Sequence, residues 1–350
     1  MRSAIRLSKI LIMTMTCMGI LACDQANYGH ETPSAQDGVT DNQAGYPIQL
    51  TWLGVTNWVL DFDGQTILFD AYFNRPDDGS ESNEDGIDLF EEIRRAKSID
   101  AVDSIFIGHS HFDHIVDAAP VALLTGAQVI GSQTTCYITQ AQGLPESQCT
   151  VIDHGDHITI GSMTITAIRT IHWFPFAPAI GGYGVLDDVP SIETVQSGPN
   201  GGALSYLIKF STRPDATIFM QGSLGELAED DGSGEDYADN LKSAFEQRTE
   251  QTLWIGTGNF LDDPSELDLY LDQIRPAWII PHHWDPISPT LRTGLNTSFS
   301  PQDWYADTVS AFGSKIIVPE QYFDEFIWDQ EGVRRLDESA VRATGLFSSP

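Results

Sequence analysis

The run His109-Ser110-His111-Phe112-Asp113-His114 puts three imidazoles and one carboxylate into six consecutive residues. Imidazole nitrogen and carboxylate oxygen are the donors that zinc takes where thiolates are absent. In a loop, alternate side chains can converge on one ion while their neighbours reach a second. The alternative, an incidental polar loop, would leave four titratable groups beside core strands with nothing to offset their desolvation. Neither Ser110 nor Ser223 sits in a nucleophile-elbow sequence, so metal chemistry is expected rather than serine chemistry. His154 and His157, beside the turn Asp153-His154-Gly155-Asp156, are expected at the surface.

The elements that position this run can be read around it. Ser104–Ile107 is a short buried strand that ends at the His-rich loop. Upstream, Ile48–Leu53, Trp58–Phe62 and Thr66–Phe69 read as strands, with a hairpin turn at Asp63-Gly64. Gly86–Lys97 reads as an amphipathic helix with Ile87, Phe90, Ile93 and Arg94 on one face. Downstream, Ile115–Leu124 reads as one helix and Gln128–Ile130 as a strand. Further strands are expected at Ile158–Ile160, Met163–Ile168, Ala203–Phe210, Thr217–Met220, Thr252–Ile255 and Ala277–Ile280, with helices near Tyr237–Arg248 and Ser265–Ile274. Early hairpins followed by strand–helix alternation describe an α/β protein with two mixed sheets and helices outside. The Gly- and Pro-rich stretch 174–200 is too long for a simple connection and reads as a lid or a disordered loop. Trp58, Trp173, Phe174, Phe176, Tyr183 and Trp284 flank the segments of interest; together they suggest an apolar pocket, although each alone reads equally as packing.

Composition narrows the function. The 350-residue chain is 41% hydrophobic, enough for a sizeable core. Its 18 Lys and Arg against 50 Asp and Glu give a net charge of −32, a surface that repels phosphate backbones and excludes nucleic acid as a partner. Arg2, Arg6 and Lys9, then apolar Ile10–Leu21, then Ala22-Cys23 have the layout of an export signal. Ile20-Leu21-Ala22-Cys23 resembles a bacterial lipobox, with plain signal cleavage nearby as the alternative. The expected organisation is a signal peptide at 1–22, a flexible polar tether at 23–46 after a lipidated Cys23, a catalytic domain at 47–335 and a C-terminal tail at 336–350. The protein is then exported to the cell envelope or periplasm, touching a membrane only through its N-terminal lipid. An oxidising compartment permits Cys136 and Cys149 to pair; two free buried thiols are the alternative.

Thr51-Trp52-Leu53-Gly54, Gly64-Gln65-Thr66-Ile67-Leu68-Phe69-Asp70 and the His-x-His-x-Asp-His loop together resemble the opening of metallo-β-lactamase-fold hydrolases. The similarity is closest to the branch containing ascorbate-6-phosphate lactonase and N-acyl-phosphatidylethanolamine phospholipase D. It implies a four-layer αββα sandwich with metals at the shared edge of two sheets. It also implies a further His after a strand, matched by His172, and a late Pro-x-His, matched by Pro281-His282-His283 with His283 as ligand and His282 as its neighbour. The family's metal-bridging Asp stands in a Gly-Asp pair; here the pair is Gly222-Ser223, and a Ser hydroxyl is a poor zinc ligand. One subclass of true metallo-β-lactamases also has Ser there. By that analogy one zinc takes His109, His111 and His172 and the other takes Asp113, His114 and His283, each keeping an open position.

The resemblance therefore implies a zinc-dependent hydrolase with two zinc ions, iron or manganese being alternatives, whose activated water attacks an ester, lactone or phosphodiester bond. Asp113 is expected to be catalytic as well as metal-binding, orienting the water and carrying its proton to the leaving group. Two cations without a bridging carboxylate keep more of their positive charge, so the expected substrate is a small molecule with an anionic oxygen and an apolar part. β-Lactam hydrolysis is the alternative activity. A catalytically degenerate metal- or ligand-binding surface lipoprotein is the alternative from another class.

Overall fold

A computed structural model describes residues 47–75, 86–172, 182, 184–191, 198–223, 225, 227, 234–246, 249, 251–257, 264–288, 291–299, 301 and 303–336. The expected N-terminal signal and tether, the expected C-terminal tail beyond Leu336, and Trp173, Phe174, Phe176 and Tyr183 lie outside the described residues.

The chain opens with an antiparallel meander of β1 (Ile48–Trp52), β2 (Trp58–Phe62) and β3 (Gln65–Phe69). Asp63 and Gly64 join β2 to β3 at φ 54° and 75°, the backbone of a two-residue turn whose twist matches its strands. Then follow α1 (Gly86–Ala96), β4 (Ser104–Phe106), α2 (Phe112–Ile115), α3 (Ala118–Thr125), β5 (Gln128–Gly131), α4 (Gln133–Ala141) and β6 (Cys149–Val151), with β3 to β6 parallel to one another. A second sheet is built from β7 (His157–Ile160), β8 (Met163–Arg169), β9 (Leu204–Phe210), β10 (Arg213–Met220), α5 (Tyr237–Ala244), β11 (Gln251–Thr257), α6 (Pro264–Ile274), β12 (Trp278–His282), α7 (Asp303–Phe312) and β13 (Lys315–Ile316). Finally β14 (Glu325–Asp329) and β15 (Gly332–Arg335) return to pair β14 against β1. The strand orders are β15-β14-β1-β2-β3-β4-β5-β6 and β13-β12-β11-β10-β9-β8-β7.

The period of two along each strand sorts side chains into two cores. In the second sheet Ile218, Leu253, Ile255 and Ile280 join an inter-sheet core that also holds Leu50, Leu60, Ile67 and Phe106. Their neighbours Phe219, Trp254 and Ile279 point the other way, against Leu241 of α5, Leu271 of α6 and Val309 of α7. Leu89, Phe90 and Ile93 of α1 and Val121 of α3 cover the outer face of the first sheet. Strands buried on both faces read as continuous apolar runs, as in β12. The result is the expected four-layer αββα sandwich.

Several elements differ from the sequence reading. The helix expected over Ile115–Leu124 is two, broken at Val116-Asp117. The Asp117 amide donates to the Ala71 carbonyl and its carboxylate accepts from the amides of Phe73 and Asn74, so the break fastens the helices to the exit of β3. The strands β6, β13, β14 and β15 and the helices α4 and α7 carry weaker patterns and emerge only with the fold. Cys136 on α4 and Cys149 on β6 form a disulfide, which settles the choice between pairing and free thiols.

The two sheets meet where β4 and β10 end. A Cβ on Gly108 would lie 2.5 Å from the Gly222 carbonyl oxygen, and one on Gly222 would lie 2.6 Å from Gly108 Cα and overlap the Leu204 carbonyl. Only backbone faces backbone there, so no side chain can swing away. Gly222→Ala should therefore destabilise the protein by about 1–3 kcal/mol, the range for overpacking a rigid site. Thermal or urea unfolding checks this, and an unchanged midpoint would contradict the packing described.

Candidate metal centre

Every expected ligand follows a strand at the same edge of the sandwich. The His109–His114 loop leaves β4, His172 follows β8, and His283 follows β12. His109, His111, Asp113, His114, His172 and His283 are all buried. The structure brings them together. The ligand atoms of His109, His111 and His172 lie within 4.8 Å of one another, as do those of His109, Asp113 and His114. Asp113 Oδ2 is 3.6 Å from His114 Nε2 and 3.5 Å from His283 Nε2. The first trio is the one expected for one metal. In the second, proximity offers His109 as well as His283 to the Asp113–His114 pair, so the two groups of donors adjoin through His109.

Neighbouring oxygens decide which nitrogen each ring presents. His109 Nδ1 donates to the Gly222 carbonyl at 2.9 Å, which leaves Nε2 for the site. His111 Nε2 donates to the Gly182 carbonyl at 3.0 Å, which leaves Nδ1. His114 Nδ1 donates to Asp70 Oδ2 at 2.7 Å, and its Nε2 has no hydrogen-bond partner among the described residues; nor has Asp113 Oδ1. His109 Nε2 and His111 Nδ1 then face each other at 3.2 Å with both N–H protons spent elsewhere. Two lone pairs in such contact repel unless a cation or a proton lies between them. The donor set thus fits a divalent transition metal.

Electrostatics points the same way. Burial pushes His109 well below the ordinary imidazole range, helped by His114, His172 and His111 around it. Burial also lowers His172 strongly, with His111 and His114 adding to it, and lowers His111 against the Gly182 carbonyl. These rings are neutral near pH 7, the state that binds metal. For His114, burial is outweighed by the carboxylates of Asp113 and Asp70, and its pKa rises. For Asp113, burial is outweighed by His114, His283 and His111, so its carboxyl ionises well below the usual range.

Asp70 is a functional residue that the sequence reading left unassigned. It ends the Gly64–Asp70 stretch at φ 55°, its Oδ1 accepting from the Gly108 amide at 2.7 Å. Its Oδ2 accepts from both His114 and the Thr56 hydroxyl. No local spacing signals a partner forty-four residues away. Ser223 is buried beside the site, where its hydroxyl donates to the Ile171 carbonyl at 2.8 Å and so braces the approach to His172. Asn57, weighed as facing the site, instead ties Gly54 to Tyr72. His282 is buried, its Nδ1 accepting from Trp58 Nε1 at 3.1 Å, so it stands behind His283 rather than in solvent. His154 and His157 are exposed, as expected, though His157 belongs to β7. Trp58 and Trp284 do not wall a pocket: both are buried against Trp52 in an aromatic stack. Of the two readings open for each aromatic, pocket or packing, these two take packing, because strand direction turns them into the core.

A β-lactamase superfamily domain model matches residues 49–186, spanning the first sheet and the His-rich loop. Over that stretch the chain is similar to the metallo-β-lactamase superfamily. A UPF0173 metal-dependent hydrolase of Anaeromyxobacter sp. (strain K) is 24% identical over 242 residues, covering 67% of this chain and 74% of that protein. One from Roseiflexus sp. (strain RS-1) is 25% identical over 275 residues, covering 78% and 94%. Among solved structures, Igni18, a metallo hydrolase from Ignicoccus hospitalis KIN4/I, superposes with a TM-score of 0.52 at 16% identity, over 81% of this chain and 99% of that one. That likeness shows the superfamily fold. Because Asp70 fixes the tautomer of His114, Asp70→Asn should weaken metal binding about 10–100-fold, the usual effect of removing a ligand's supporting carboxylate. Equilibrium dialysis against buffered zinc measures it; undiminished affinity would count against this role.

Proposed function

We propose that the chain is a zinc-dependent hydrolase that cleaves an ester, lactone or phosphodiester bond in a small molecule carrying an anionic oxygen. The broader class, a metal-dependent hydrolase of the metallo-β-lactamase superfamily, rests on the fold, the domain match and relatives that bear that name. The observation that carries the finer reading is the pair of adjoining donor groups, with His109 and His111 nitrogens facing each other at 3.2 Å. His109, His111 and His172 would hold one ion and Asp113, His114 and His283 the other, with iron or manganese as the alternative metals.

When bound, such ions supply Lewis acidity and bring the pKa of water toward 7. The residues do the rest. Neutral His109, His111 and His172 present lone pairs at working pH, while Asp70 and the Gly222 and Gly182 carbonyls hold three rings in orientation. Asp113 is held ionised by His114, His283 and His111, and its Oδ1 has no hydrogen-bond partner among the described residues, so it can accept a proton from the attacking water and pass it to the leaving group. Ser223 offers no carboxylate, so the site keeps net positive character toward an anionic oxygen. The aromatic residues that would meet an apolar part of the substrate, Trp173, Phe174, Phe176 and Tyr183, lie outside the described residues.

Elemental analysis of the purified chain, followed by a panel of fluorogenic esters, lactones and bis-aryl phosphates with nitrocefin alongside, tests this reading. Two zinc equivalents with turnover of the panel are expected. Turnover of nitrocefin alone would favour β-lactam hydrolysis, and a folded, metal-free, inert chain would refute the reading. Asp113→Ala should lower kcat by roughly 10²–10⁴-fold with KM little changed; equal loss in both would mean that Asp113 only scaffolds.

We also propose export with lipid anchoring through Cys23. The basic–apolar–Ala22-Cys23 layout supports it, as does the Cys136–Cys149 bridge, since disulfides persist in oxidising compartments. Mass spectrometry of the mature N-terminus should find a diacylated or triacylated Cys23; an unmodified residue there would refute the anchor.

A further inference from the structure

The loop between β1 and β2 touches two ligands of one half of the metal centre, His283 and His114, and a buried ion pair holds that loop. Val55 sits at φ 49°, a region that β-branched residues rarely enter. Its amide is clamped by both carboxylate oxygens of Asp285, at 2.9 and 3.1 Å. Its carbonyl accepts from the amide of His283 at 3.1 Å, and His283 is itself at φ 55°. The next residue, Thr56, places its hydroxyl 2.8 Å from His114 Nδ1 and donates it to Asp70. Asp285 is in turn paired with Arg75 at 3.1 Å, both side chains being wholly buried. The Arg75 guanidinium lies between the rings of Tyr72 and Tyr322, 5.3 Å from each centroid, and its NH1 also reaches Tyr322 Oη and the Pro286 carbonyl. Gly54 is required there, because a Cβ would overlap the guanidinium.

A hydrophobic pair of similar volume could fill this space without the desolvation cost of two buried charges. What it could not do is hold the Val55 amide in a left-handed conformation while its carbonyl grips His283. We propose that Asp285, oriented by Arg75, is a positioning residue for the metal centre, setting the distance between His283 on one side and His114 with Asp113 on the other. The proposal rests on the metal-binding reading given above. Removing the clasp should release Val55 from its strained conformation and let His283 drift from Asp113, which now lies 3.5 Å away. The ring hydrogen bonds of His109 and His111 run to the Gly222 and Gly182 carbonyls rather than to this loop, so the ion they share with His172 should keep its affinity.

The test is zinc stoichiometry and affinity in D285N, read by equilibrium dialysis against buffered zinc and by the visible spectrum of the cobalt-substituted protein. D285N keeps the shape of the side chain and one acceptor, but loses the charge that faces Arg75. One equivalent should weaken about 10–100-fold, as for other supports of metal ligands, while the other keeps its affinity. H111A should show the opposite pattern, losing the equivalent that D285N retains. Two unaltered equivalents in folded D285N would overturn the proposal, and so would equal weakening of both, which a merely destabilised fold would give. If the lone buried cation prevents D285N from folding, R75M/D285N removes it and carries the same expectation. A wild-type chain that holds no zinc would instead refute the metal reading itself, so the two failures are distinguishable.

Discussion

Two imidazole nitrogens whose protons are committed elsewhere cannot rest 3.2 Å apart in a dry interior without something positive between them. That constraint, at His109 and His111, organises the rest of the centre. Each ring is turned by an oxygen from a different part of the chain: Gly222 after β10, Gly182 from the long segment after β8, and Asp70 at the end of β3 for the neighbouring His114. The rings can crowd because burial keeps His109, His111 and His172 neutral, and the one ring whose pKa rises, His114, is the one flanked by Asp113 and Asp70. Charge is thus distributed within the site before any ion enters, with the carboxylates on one side and the neutral donors on the other.

The architecture serves this arrangement at a cost in backbone conformation. Asp70, Val55 and His283 all have φ near 50°, and each lies at the end of a strand beside the centre. Non-glycine residues in sparsely populated regions cost on the order of 1–3 kcal/mol each and persist where surrounding bonds over-determine them. Those bonds are visible: Gly108 and Thr56 on Asp70, Asp285 on Val55, and Val55 on His283. The backbone contact of Gly108 with Gly222 completes the set by letting the edges of two sheets approach without an intervening side chain. Three of the seven described non-glycine residues with positive φ, and the Gly108–Gly222 approach, lie where the strands deliver ligands.

What could be read in the sequence follows from how local the signal is. His109 to His114 are contiguous after an apolar strand, so their chemistry needed no fold. His172 stands alone in sequence and His283 has only His282 beside it, and both became candidates only through resemblance to a known pattern. Strands with strong alternation or apolar runs, such as Met163–Arg169 and Trp278–His282, were legible, whereas the short β6 and β13 and the returning β14 depend on partners far along the chain. Asp70 and Asp285 were opaque for the same reason: a carboxylate becomes a support only when a partner 44 or 230 residues distant arrives. Trp58 and Trp284 were misread as candidate pocket residues because composition cannot tell an aromatic at a rim from one facing inward.

The −32 charge of the chain and the cationic character expected of its loaded centre pull in opposite directions, and distance decides between them. At physiological salt, exposed charges are screened over about 8 Å, so the acidic exterior acts mainly on molecules large enough to lie along it. A polyanion meets that surface repeatedly and is turned away. A small ligand with one or two anionic oxygens would meet it only in passing, and at the buried donors, where the effective dielectric is far below that of water, bound cations would dominate its energy. On the proposed function, the same charge distribution would disfavour nucleic acid and leave a small anionic ester or lactone free to bind. Selectivity by size of anion would then follow from the balance of surface and site.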